Sequence, residues 1–242
     1  LILLVGHYDE PNPARACEYA QALARNCSNR HIEKVWVFFE DASLLWFSHS
    51  KIWKVPHGAR LKFCDLFDIA DRELAGKVCI IANSDIYFDD SLGQLRGYDL
   101  RGKLLALSRW ETTVDGKIEY NGLQWSQDAW IFRPPIIVPI KCDFPLGILA
   151  CDTRLNYEAR AAGLEVLNPC KTIRAIHLHM SAVRNYTLAT RLGGKEAWVQ
   201  PQALHDEPPE LAPADPKLPL GFNPYTALQN GLLPIVNLHR KF

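Results

Sequence analysis

Apolar positions along this chain fall into short unbroken runs that alternate with stretches of helical periodicity. Val78 to Ala82 has nothing polar on either face and stops abruptly in Asn83, Ser84, Asp85, Asp89 and Asp90. Such a run predicts a strand covered on both faces, as in a parallel sheet. Leu1 to Val5 is a second run of this kind, ending at Gly6-His7-Tyr8, and after a Pro-interrupted loop Ala14 to Cys27 carries apolar and small residues at helical spacing. Ile32 to Phe39 predicts another strand, and Arg60 to Leu74 a short strand-like piece with a helix. Strands alternating with helices imply parallel pairing through right-handed crossovers. Beyond Asp90 the pattern changes: Leu104 to Ser108 and Trp130 to Phe132 predict strands, Asp115-Gly116 a hairpin turn, and Asp152 to Ala162 a helix stopped by Gly163. Leu164 to Leu167 and Thr172 to His177 follow as short strands. The expected class is α/β, a Rossmann-like and mostly parallel central sheet flanked by helices.

Composition narrows the picture. With 242 residues, 48% of them hydrophobic and 22% charged, the chain can bury a large core in one domain. Twenty-seven basic and 27 acidic residues leave no net charge, so no basic field gathers nucleic acid, and a bound phosphate must be met locally. No apolar run approaches the roughly 20 residues of a membrane span. The seven cysteines are widely spaced without a C-x-x-C pair, the pattern of reduced thiols in a cytoplasmic protein. From about Pro201 the chain becomes rich in Pro, Asp and Glu, so residues 1–195 are expected to form the domain and 196–242 a Pro-rich C-terminal extension or linker. Because the chain opens on Leu1 inside a strand-like run, it is read as one part of a larger multi-domain protein.

Carboxylates delivered to the C-terminal end of a parallel strand lie where open α/β sheets bind ligands, and oxygen-rich side chains there suit a hard divalent cation held together with substrate phosphates. For Asp89 and Asp90 capping of the following turn is the simpler account, with Ser91 as a further cap.

Six segments in order, Asn83-Ser-Asp-Ile-Tyr-Phe-Asp89, Leu107-Ser-Arg-Trp-Glu111, Ser126-Gln-Asp-Ala-Trp-Ile-Phe132, Cys151-Asp152, Asn168-Pro169, and His177-Leu-His-Met-Ser181 with Arg184-Asn-Tyr186, give the first 190 residues a resemblance to a small group of GT-A-type glycosyltransferases. Members occur as domains of larger bacterial and large-DNA-virus proteins. The resemblance implies a GT-A-like fold and a hexosyl- or deoxyhexosyltransferase. Its donor would be a nucleotide-sugar, most simply a UDP-sugar, its acceptor a carbohydrate or glycan, and its cofactor Mn²⁺ or Mg²⁺.

It also implies site residues. The metal motif of the family is Asp-x-Asp; here Asn83 stands first, which leaves Asp85 as the direct ligand, with Ser84 between them. GT-A enzymes often bring a C-terminal His to the metal, and His179 is the candidate, with His177 packing behind it. Asp128 matches the acidic position that takes the proton from the acceptor hydroxyl in inverting members, with Gln127 where a Glu often stands; capping a turn is its alternative role. For the donor, His7 and Tyr8 end the first strand and Arg15 opens the next helix, while Arg60 touches the base or pairs with Asp65. Arg109 is placed for the diphosphate, since a guanidinium matches phosphate bidentately. Trp110, Trp125 and Trp130 flank the proposed base and either stack on sugar rings or fill the core; Asp152 either caps its helix or meets the acceptor. A non-catalytic nucleotide- or carbohydrate-binding module of the same fold is the alternative function, suggested by Asn83.

Overall fold

Strand β1 (Ile2–His7) sends Ile2 and Leu4 into one core layer and Leu3 and Val5 into the other, which is why an unbroken apolar run marks it. The computed structural model describes residues 1–43, 45, 48–120, 122–181, 183 and 188–206; the Arg184 to Tyr186 motif and the extension from residue 207 lie outside them. Helix α1 (Pro13–Ser28) starts where Asn12 Oδ1 accepts from the backbone N–H groups of Ala14 and Arg15, at 3.0 and 3.1 Å, with Pro13 in the first turn. Strands β2 (Lys34–Phe39) and β3 (Ile52–Pro56), helix α2 (Phe63–Glu73) and strand β4 (Cys79–Ala82) complete the first half. Then come β5 (Ile86–Phe88), a 3₁₀ turn (Asp90–Leu95), β6 (Lys103–Thr112), β7 (Ile118–Tyr120), β8 (Gln127–Phe132), helix α3 (Cys151–Ala161), β9 (Glu165–Leu167) and β10 (Ala175–His177).

The ten strands form one sheet in the order β3-β2-β1-β4-β8-β6-β10-β5, with β7 and β9 both paired to β6. The block β3-β2-β1-β4 is parallel throughout, β8 enters antiparallel between β4 and β6, and β10 runs parallel to β6 and antiparallel to β5. Because β8 opposes β4, the start of β8 and the end of β4 meet at one edge, as do the end of β10 and the start of β5. That edge carries the acids and histidines singled out in the sequence.

Strands β3, β5 and β7 were not expected. The three-residue run of β5 sits among carboxylates and has no period of its own; its pairing with β10 makes it a strand. Asp89 caps the 3₁₀ turn, accepting from Ser91 N at 3.0 Å, as the simpler account held. Asp152 does not cap α3: that position is Ala150, at φ 68°, and Asp152 Oδ2 instead accepts from Gln127 N at 3.1 Å, tying the helix to β8. Trp130 is fully buried and fills the core against Phe63, whereas Trp110 donates from its indole to Cys170 O at 2.8 Å and Trp125 packs on Trp198.

The first residues of the expected extension pack against the domain: Val199 is 2% exposed and its carbonyl accepts from Asn168 Nδ2 at 2.9 Å. Asn168, fully buried, also donates to Ser108 Oγ at 2.9 Å and accepts from Ser108 N at 3.0 Å. Asn168→Ala strands these groups in the interior and is expected to cost ~2–4 kcal/mol, read as a lower urea midpoint at unchanged slope.

Candidate functional site

Beyond the end of β4 the chain turns at once. Asn83 N donates to Asp128 O at 3.0 Å, Ser84 Oγ to Gly6 O at 2.9 Å and Ile86 N back to Asn83 O at 3.1 Å. These three bonds fix Asp85 pointing inward, 6% exposed, in a cleft of about 160 Å³. Asp85 Oδ2 accepts from Arg15 and lies 2.9 Å from His177 Nε2, while its other oxygen, Oδ1, is buried without a hydrogen-bond partner.

From Asp85 a continuous chain of charge-assisted contacts runs to Asp128. His177 Nδ1 meets Glu111 Oε2 at 2.7 Å, and Glu111 Oε1 accepts from Arg109 Nε at 2.6 Å. Arg109 Nη1 donates to Asp128 Oδ2 at 3.0 Å, and Asn83 Nδ2 to Asp128 Oδ1 at 2.7 Å. Strand alternation explains the middle of this chain, since Arg109 and Glu111 are two residues apart on β6 and share a face. At the other end Arg15 also binds Glu18, three residues on along α1, at 2.8 Å.

Buried charges survive only when paired. Burial pushes the Asp85 carboxyl up, but His177 and Arg15 outweigh it and hold Asp85 below the usual carboxylate range; Glu111 is held down likewise by His177 and Arg109. For His177 burial acts downward, yet Asp85 and Glu111 prevail over it and over Arg109, raising the imidazole to about 9. Asp152 is driven the other way: burial, with Asp128 nearby, pushes its carboxyl up to about 7 against hydrogen bonds from Thr153 and Gln127.

Asp85, His177 and His179 each offer one ligand atom, and the three lie within 4.8 Å of one another. A cation fits these donors. Asp85 Oδ1 lacks a partner, and Glu111 on His177 Nδ1 fixes the tautomer that turns Nε2 toward Asp85. Ligation would require His177 to lose its proton, so Mn²⁺ affinity is expected to rise about tenfold per pH unit up to about pH 9 and then level off. In the metal-free protein the sign reverses for stability. The folded pKa lies above the unfolded 6.5, so this contribution is full below about pH 6.5 and is lost as pH rises through about 9. Thermal melts with and without Mn²⁺ across pH 6 to pH 9.5 would show the two trends, and flat curves would exclude this proton.

Nine of the ten residues singled out line this cleft: Tyr8, Arg15, Arg60, Asn83, Ser84, Asp85, Arg109, Asp128 and His179. His7 is not among them and packs edge-on against Phe39, with ring centroids 5.0 Å apart. Arg60 does not pair with Asp65; its guanidinium donates to Leu146 O at 2.8 Å, while Asp65 accepts from Lys62 N at 2.9 Å at the start of α2. Tyr19, Glu40 and His177 also line the cleft, and Glu111 and Glu18 support it from behind. Helical spacing from Arg15 was a signal for Glu18 and Tyr19, and strand spacing from Arg109 a signal for Glu111.

Neither a family model nor a curated protein sequence matches the chain. Among solved structures it resembles the mannosyltransferase PcManGT from Pyrobaculum calidifontis, in complex with GDP-Man and Mn²⁺, at TM-score 0.50 and 12% identity over 76% of this chain and 58% of that one. Two others are S. aureus TarS, residues 1–349, at TM-score 0.40 and 12% identity over 77% and 59%, and GlyE of Streptococcus pneumoniae TIGR4 at 0.35 and 14% over 55% and 33%; both are too distant to carry weight. The chain spans less than two thirds of each of these proteins. The likeness to the mannosyltransferase is one of fold, and the chain, with its parallel block and mixed sheet, has a GT-A-like fold.

Proposed function

We propose that this domain is a metal-dependent glycosyltransferase that moves a hexose or deoxyhexose from a nucleotide-sugar, in the first instance a UDP-sugar, to a carbohydrate acceptor with inversion. The observation that carries the proposal is one cleft holding both Asp128 and the Asp85, His177, His179 set, with Asp128 joined to His177 and Asp85 through Arg109 and Glu111. The mannosyltransferase with GDP-Man and Mn²⁺ supports it by analogy of fold.

In this proposal Asp85 and His179, with His177 beside them, hold the divalent ion; two imidazoles favour Mn²⁺ over Mg²⁺, which prefers all-oxygen surroundings. When bound, such an ion neutralises the charge that develops on a departing nucleoside diphosphate. Arg15 and Arg109 bring fixed positive charge to the cleft, and in this proposal Arg60 and Tyr8, which also line it, meet the nucleotide. Asp128 takes the acceptor proton. Its two oxygens each accept one hydrogen bond, from Asn83 and Arg109, so each keeps a lone pair for a third donor. Bonds already made hold the carboxylate oriented before substrate arrives.

No helix among the described residues is long and apolar enough to cross a membrane. We place the transferase in residues 1–195, within the cytoplasm and as part of a longer protein. Calorimetric titration with UDP, GDP and dTDP, each with and without Mn²⁺, tests the proposal. Metal-dependent binding of one nucleotide followed by donor turnover is expected; binding without turnover would favour the non-catalytic module, and no binding to any of the three would overturn the transferase in favour of that module.

A further inference from the structure

Glu18 has no part in the chemistry above, yet its carboxylate is among the most fully engaged in the molecule. It lies on α1, 6% exposed. Oε1 accepts from two consecutive backbone N–H groups, those of Met180 and Ser181, both at 2.6 Å. Oε2 accepts from Ser181 Oγ at 3.0 Å and from Arg15 Nη1 at 2.8 Å. On the other side of His179, Leu178 N donates to Asp85 O at 2.9 Å. His179 is thus the one residue between two anchors, the first a backbone carbonyl and the second a side chain. β10 ends at His177, and among the described residues the bond from Leu178 is the last backbone link to the neighbouring strand.

We infer that Glu18 is a positioning residue, a latch that ties the segment after β10 to α1 and thereby sets where the His179 imidazole stands relative to Asp85 and His177. The inference rests on the proposal that these three residues hold a metal ion. Free of the latch, residues 179 to 181 regain backbone freedom, and the ligand geometry must be re-formed on each binding event. Arg15 extends the same latch to Asp85, so a single buried acid on α1 sits behind two of the three ligands. Supporting groups one step behind metal ligands act through ligand orientation, and this one does so through the backbone.

Mn²⁺ alone, titrated into the whole chain and followed by the free-ion electron paramagnetic resonance signal, tests the latch. Glu18→Ala is expected to weaken Mn²⁺ binding about tenfold, and Glu18→Gln, which keeps one oxygen for the two N–H groups, to recover most of the loss. Adding Glu18→Ala to His179→Ala is expected to cost much less than it does alone, because the latch works chiefly through His179 and only the route through Arg15 to Asp85 remains. Unchanged Mn²⁺ affinity in Glu18→Ala, or a full additive loss in the double variant, overturns the inference. Should Glu18→Ala fail to fold, Ser181→Ala removes one contact and is expected to weaken Mn²⁺ about threefold, only while His179 is present; no change there overturns the inference equally. If His179→Ala and Asp85→Asn both leave Mn²⁺ affinity intact, the metal site itself is wrong, a failure that can be told apart because it does not involve Glu18.

Discussion

Asp85→Asn is expected to weaken Mn²⁺-dependent nucleotide binding by about 100-fold, close to 2.7 kcal/mol. The loss is large because the substitution removes charge where nothing nearby replaces it. Asp85 Oδ1 is the partnerless oxygen of the cleft, and Asn83 already stands where a second acid would share the load. The amide of the variant has one oxygen, and Arg15, a fixed donor to the native Oδ2, would draw that oxygen to itself. Its NH₂ would then face the ligand position, a donor where an acceptor is needed. Stability should fall less than for an isolated buried pair, since His177 can shed its proton once Asp85 no longer sustains it. Titration of UDP with and without Mn²⁺, with near-ultraviolet circular dichroism as a check of folding, measures the effect. Unchanged metal dependence would remove Asp85 from the site.

Asp128→Asn is expected to lower the transfer rate by about 10² to 10⁴ while donor affinity stays within about threefold. The substitution keeps the volume and the bond from Asn83 within reach, so a loss confined to kcat would speak for the proton-accepting role rather than for architecture. The side chain is 11% exposed and lines the cleft, open to an acceptor hydroxyl. If transfer survives, the base lies elsewhere.

Most of the scaffold could be read from the sequence because its strands are long or doubly buried. β1 and β4 announce themselves as apolar runs, and α1 by Asn12, Pro13 and its spacing. What could not be read depends on partners far along the chain. β5 is three residues long and exists through its pairing with β10, about 90 residues further along the chain. The cleft residues were legible where a strand end exposes them, as at Asp85, or where a motif carries them, as at Asp128 and His179. His7 was placed by position alone, and the alternation of β1 does not bring its ring to the cleft; Phe39 of β2 takes it instead. Glu18 and Glu111 were passed over because each was read singly. Their meaning lies in what they hold, Met180 and Ser181 in one case and His177 in the other.

The insertion of β10 between β6 and β5 has a consequence for how the domain can be monitored. Arg15 and Asp85 are 70 residues apart, Asp85 and His177 another 92, and Glu18 and Ser181 are separated by 163. Closing such distances is the entropically expensive part of folding and falls late in it. Neither half of the chain contains all three proposed ligands, so Mn²⁺ binding at that site would report that the sheet has closed from β1 through to β10, and a metal titration would double as an assay of complete assembly.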